Sequence, residues 1–87
     1  MAVVYLPSSL TVLFPGAPRR LCVEAATVHD LIDVLNEQWP GLRSRVCDAG
    51  PVIRQHVNIF VDGEKSTLAT PVALSSEVHI IPAVSGG

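Results

Sequence analysis

Apolar and polar residues along this chain change period several times, and each change marks an element. "AVVYL" (Ala2 to Leu6) is a short β-rich run stopped by Pro7, and "RRLCVEA" (Arg19 to Ala25) sets Arg20, Cys22 and Glu24 against Leu21 and Val23. Alternation of this kind predicts strands. Pro15-Gly16 and Pro18 supply turn chemistry between them, so the two are expected to form a hairpin with a broad connection. In "TVHDLIDVLNEQWPG" the period lengthens: Val28, Leu31, Ile32, Leu35 and Trp39 fall on one helical face. Thr27 is placed to cap this helix, Asp30 favours its first turn, and Pro40-Gly41 ends it after about three turns.

"GLRSRVCDAGP" carries a weaker pattern, a short helical turn before a loop. "HVNIFVDGEKSTL" then gives a strand, a tight Asp62-Gly63 turn and a short partner strand, and "TPVALSSEVHIIP" ends in a last strand from Glu77 to Ile81. Strand, strand, helix, strand, short strand, strand is an α+β order in which one main helix covers one face of one mixed sheet. It is the order of the β-grasp fold. No repeat, linker or low-complexity segment interrupts it, and 87 residues suit a single domain over 1–87 with one modest core.

Since one helix covers one face, strand parity nominates residues for the other. Val57, Ile59 and Val61 share one face of their strand while Asn58, Phe60 and Asp62 share the opposite one. Val78 and Ile80 pair as core, leaving Glu77, His79 and Ile81 outside, and if Val4 and Leu6 are buried, Tyr5 joins Phe60 and Ile81. Such a small apolar patch rimmed by charge has the look of a protein-docking site, although single exposed apolar residues are also common without a partner.

Composition narrows the chemistry. Nearly half the residues are apolar (48%), the net charge is -2, and the basic residues Arg19, Arg20, Arg43, Arg45, Arg54 and Lys65 are scattered, which argues against nucleic-acid binding. No run is long and apolar enough to span a bilayer, and the N-terminal stretch lacks the basic region of a secretory signal. Two cysteines, Cys22 and Cys47, are too few and too far apart for a metal clip, an iron-sulfur cluster or a disulfide framework, so a reducing, cytoplasmic setting is the simplest expectation and no bound metal or cofactor is expected. His29, His56 and His79 stand apart from one another and read as surface or structural histidines.

The C-terminal "IIPAVSGG" asks for a different explanation. Pro82 has no N–H to continue a ladder, and the five residues after it are small, so 83–87 is expected to be a flexible tail. Extended, five residues reach roughly 17 Å. Gly86 and Gly87 carry no side chain that would obstruct a narrow channel, and an α-carboxyl with a pKa of ~3.3 to 3.7 is ionised and available as a nucleophile toward a phosphate.

Together "TVHDLIDVLNEQWPGL", "HVNIFVDGE" and "VHIIPAVSGG" resemble the ubiquitin-like sulfur carriers of the MoaD/ThiS family, with the terminal diglycine as the specific part and CysO-type carriers of cysteine biosynthesis as the nearest pattern. One departure is Ser75-Ser76, where the family often has a Gly-Asp turn. The resemblance implies a carrier without catalytic residues of its own. A ubiquitin-activating-like adenylyltransferase, using ATP and magnesium, would adenylate the Gly87 carboxylate, with Gly86 and Ser85 forming the tail that enters it. Sulfur would then displace AMP to leave a thiocarboxylate. The acceptor would be a pyridoxal-phosphate-dependent cysteine synthase or, in the molybdopterin branch, a large synthase subunit. A ubiquitin-like modifier joined through Gly87 to lysines, and a plain interaction module with an inert tail, are the other readings open at this stage.

Overall fold

The computed structural model describes residues 1–50 and 52–82. Five strands form one mixed sheet in the order β2-β1-β7-β5-β6, where β1 is Ala2–Tyr5, β2 Arg20–Val23, β5 Val57–Val61, β6 Glu64–Lys65 and β7 Glu77–Pro82. β1 and β7 are parallel, and every other neighbouring pair is antiparallel. A helix α2, Val28–Gln38, covers one face, as the order of elements predicts.

The capping of α2 follows from its sequence. Thr27 is extended, and its hydroxyl accepts from the Asp30 N–H at 3.1 Å. Two further N–H groups of the first turn, those of Val28 and His29, donate to the carbonyls of Thr70 and Leu68, so the loop before β7 closes the helix start. Val28, Leu31, Ile32 and Leu35 are buried against Val4, Ile59, Val78 and Ile80 of the sheet, while Trp39 is half-buried at the C-cap.

Strand parity agrees with the pattern in the sequence. Val4, Leu6, Ile59, Val61, Val78 and Ile80 face the core, and Tyr5, Phe60, His79 and Ile81 face away from it. Asp62 and Gly63 both adopt positive φ, 51° and 85°, which is the backbone of a two-residue hairpin turn of type I′ between β5 and β6.

Three features differ from the sequence reading. The connection between the first two strands holds a helix α1, Ser8–Leu13, which follows Pro7 directly. Leu6 and Leu10 are buried and Phe14 is packed against the same core, a spacing of four that places one side chain per turn inward. The weak stretch after α2 is, as expected, a short helical turn, α3, Leu42–Val46; Asn36 Oδ1 accepts from the N–H groups of Gly41 and Arg43 at 3.1 and 3.0 Å and so caps it from the last turn of α2. A small antiparallel pair, β3 (Cys47–Asp48) with β4 (Val52–Ile53), follows where a loop is expected. Finally, β7 does not stop at Ile81: Pro82 lies in register with Val57, whose N–H donates to the Arg54 carbonyl at 3.0 Å and not across the ladder, so the position accepts a residue without an N–H. The expected tail, 83–87, lies outside the described residues.

Candidate functional site

Two neighbouring regions are candidates, the uncovered sheet face and the end of β7 from which the last residues continue. On the open face the register lines up five residues in a row across the sheet: Arg20, Tyr5, His79, Phe60 and Lys65. Tyr5 and His79 stack with ring centroids 4.4 Å apart and 7° between planes, and Phe60 is the cross-strand partner of His79 on its other side. The Tyr5 hydroxyl also holds the Arg20 guanidinium above its ordinary pKa. Cations thus end an aromatic row on both sides.

Tyr5 and Phe60, both nominated by parity, therefore share this row, each half-buried among its neighbours. Ile81 lies one row closer to the end of the strand, opposite Asn58, and is 44% exposed. The three are on one face, with Ile81 next to Pro82. Sequence reasoning places His79 on this face without nominating it for the site. Its place beside Tyr5 depends on the parallel pairing of β1 with β7, strands more than seventy positions apart, and no local pattern announces that.

Behind this row, the hairpin turn is tied to the start of β7. The carboxylate of Asp62 accepts from the Glu77 N–H and from the Ser76 hydroxyl, each at 2.9 Å, and the Ser76 hydroxyl itself accepts from the Ala73 N–H at 2.9 Å. The Glu77 backbone bond, followed by that of Ser76, lowers the Asp62 pKa. Ser76 is buried at 2% exposure, and its hydroxyl both donates and accepts.

Neither thiol is part of this arrangement. Cys47 is buried at the end of α3, where desolvation raises its pKa, and Cys22 is exposed on the edge strand β2. His29, Asp30 and Asp33 lie close together on α2, but Arg43 is bound to Asp33, which makes the group an exposed ion-pair cluster. Among the described residues every buried side-chain N or O atom has a hydrogen-bond partner, and no helix is long and apolar enough to cross a membrane. Ser85, Gly86 and Gly87 are beyond the described residues, so the geometry ends at their point of attachment, Pro82 in the middle strand of the sheet.

Comparison with known proteins adds what the geometry leaves open. The chain is 37% identical over 62 residues to small archaeal modifier protein 1 of Haloferax volcanii, covering 71% of each. The crystal structure of Mycobacterium tuberculosis CysO, described as an antigen, superposes with a TM-score of 0.86 at 27% identity, over 97% of this chain and all (100%) of that one. The CysO-containing crystal structure of the Amycolatopsis orientalis BexX/CysO complex gives a TM-score of 0.89 over 100% of both chains, and at 24% identity it bears on the fold, which is the ubiquitin-like β-grasp. The family model described as "ThiS family" matches residues 12–87, from α1 through the diglycine, and the chain therefore belongs to the ThiS family of MoaD/ThiS-type ubiquitin-like carriers.

Proposed function

We propose that this chain carries sulfur as a thiocarboxylate on Gly87. The observation that supports this most is the extent of the family match, which runs through Gly86-Gly87 at the end of a chain whose middle strand leads into that segment. In the proposed cycle a ubiquitin-activating-like adenylyltransferase binds ATP and magnesium. The Gly87 carboxylate attacks the α-phosphate, pyrophosphate leaves, and the acyl-adenylate is a mixed anhydride with AMP as a good leaving group. A sulfide donor then attacks the carbonyl carbon and expels AMP, leaving the C-terminal thiocarboxylate. Ser85 and Gly86 present little bulk to the channel that receives them. Tyr5, Phe60 and Ile81 supply the apolar docking face, and no side chain of the carrier takes part in bond making.

The destination proposed for the sulfur is cysteine biosynthesis, with a pyridoxal-phosphate-dependent synthase as acceptor, because structures similar to this chain include CysO. A large molybdopterin synthase subunit is the alternative acceptor within the same chemistry. A second reading has an observation of its own: the 37% identical relative is called a modifier protein, which favours attachment through Gly87 to lysine amines of other proteins. The same adenylate feeds both.

Intact-protein mass spectrometry decides between them. With the adenylyltransferase, ATP, magnesium and sulfide, the expected result is exchange of one carboxylate oxygen for sulfur. It should persist when Cys22 and Cys47 are both changed to serine and vanish when Gly87 is deleted or one residue is added after it. Loading that survives the deletion but is lost with the cysteines would overturn the carboxylate mechanism. Isopeptide-linked targets in place of free thiocarboxylate would favour the modifier.

A further inference from the structure

The sheet sorts the charged side chains toward opposite ends. β1 and β7 run one way and β2 and β5 the other, so one end gathers the starts of β1 and β7 with the ends of β2 and β5. Glu24 follows the last residue of β2 there, Glu77 begins β7, and Asp62 is bonded to it. Cations gather at the opposite end, where Pro82 lies. Arg19 donates from Nε to the Leu6 carbonyl at 3.2 Å, and Arg45 and Arg54 border a groove that Pro82 also lines, while Arg20 and Lys65 lie between the two ends in the row of His79. Arg54 is held by Asp48 at 3.1 Å, but among the described residues Arg19, Arg20 and Arg45 make no ion pair. A net charge of -2 thus conceals an axial charge separation.

The groove is apolar between its arginines. Its volume is about 210 Å³, and Leu10, Val57, Ile80 and Pro82 line it. Leu13 stands on its rim with 48% exposure, and the neighbouring Val12 of α1 is 78% exposed.

We infer that this cationic, apolar-centred end steers the chain onto the enzyme that acts on Gly87, and that this enzyme surrounds its tail entrance with carboxylates and places an apolar side chain against the groove. The inference rests on the sulfur-carrier reading and adds the chemistry of the partner's surface. Five residues follow Pro82 and span at most about 17 Å, so the protein around the entrance must come against this end of the sheet while Gly87 reacts. Cations collected at that end orient the approach before contact, and carboxylates at the far end oppose docking in reverse. An apolar groove between the cations favours a protein surface over a polyanion, which would leave it uncovered.

The test measures association rates of the full chain with the adenylyltransferase encoded in the same genome, at low and high salt. Arg19→Glu/Arg45→Glu should lower the association rate constant roughly tenfold or more at low salt. The gap should shrink to about twofold near 1 M ionic strength, where the Debye length is ~3 Å. Arg45→Ala should lie between, and Glu24→Lys, at the other end, should leave the rate unchanged or raise it. Melting curves check that each variant is folded. Unchanged rates for the double variant at low salt, a loss independent of salt, or stronger retention of the chain on heparin than on the enzyme would overturn the inference. If the unaltered chain is loaded with sulfur yet unsteered by these arginines, only this inference fails; if it neither binds nor is loaded, the carrier reading fails with it.

Discussion

Ile80 and Ile81 are chemically identical neighbours that the sheet sends to opposite faces, and exchanging each for alanine should separate folding from docking. Ile80 is 3% exposed and sits opposite Ile59, which is fully buried. Truncating it removes most of a core side chain from a close-packed site, a loss of about 2 to 5 kcal/mol. A domain of this size loses about 4 to 8 °C of melting temperature per kcal/mol, so Ile80→Ala should melt at least ~8 °C lower. Ile81 is already 44% exposed, and its truncation should cost no more than about 0.5 kcal/mol, under ~4 °C. Binding should respond in reverse. Ile81→Asp is expected to weaken the complex with the adenylyltransferase by about 1.5 to 3 kcal/mol, or roughly 10- to 150-fold in Kd, because it puts an unpaired charge where an apolar contact was buried. Urea unfolding and calorimetric titration on the same samples measure both quantities. Equal destabilisation by the two alanine variants would refute the strand parity, and an unchanged Kd for Ile81→Asp would refute docking through this face.

Thr27→Ala should cost about 1 kcal/mol, seen as a lower urea midpoint, because the Asp30 N–H loses its cap. Ser76→Ala should cost about 1 kcal/mol, since the Ala73 N–H loses its acceptor and the Asp62 carboxylate loses a donor. The lowered pKa of Asp62 makes its contribution to stability complete above the ordinary carboxylate value near ~3.9 and lost as pH falls through the lowered one; Asp62→Asn should therefore flatten the acid limb of a stability-against-pH curve. A thiol reagent should modify exposed Cys22 quickly and buried, pKa-raised Cys47 slowly in the folded protein, with the difference disappearing in denaturant.

The elements legible in the sequence are those whose period is sustained and whose ends carry their own punctuation. Helix α2 has four buried positions on one face, a threonine cap and a Pro-Gly stop, and the β5–β6 hairpin has its Asp-Gly turn. Helix α1 escapes because six residues allow one buried side chain, Leu10, and its serines and β-branched residues favour other local structure. The β3–β4 pair escapes because two-residue strands show no period. Helix α3 reads as a short helical turn, but its cap is not local. What caps α3 is Asn36 in the preceding helix, so the signal lies outside the segment it organises. At the candidate site, parity alone places Phe60 and Ile81 on the open face and Tyr5 with them. The stacking of Tyr5 on His79 depends on which strands are neighbours, and the Ser76–Asp62 bond joins residues fourteen apart through tertiary structure.

If, as proposed, no side chain of this carrier reacts, the useful property of the fold is where it roots the reacting end. β7 is the middle strand, hydrogen-bonded to β1 on one side and β5 on the other, and Val78 and Ile80 fix it to the core beneath α2. An edge strand could peel from the sheet one ladder at a time; β7 cannot leave without breaking both. Ile81, with Tyr5 and Phe60 across the same face, is therefore held in fixed relation to Pro82, where the last five residues begin. Docking of that face limits Gly87 to a sphere of about 17 Å around one point on the partner. A short tether of this kind corresponds to an effective concentration in the millimolar range, and a channel that admits only glycine-sized residues narrows the remaining choice. In the proposed cycle the energy gained on the open face becomes proximity at the carboxylate, so that docking, without a catalytic group of the carrier, would determine which enzyme its end reaches.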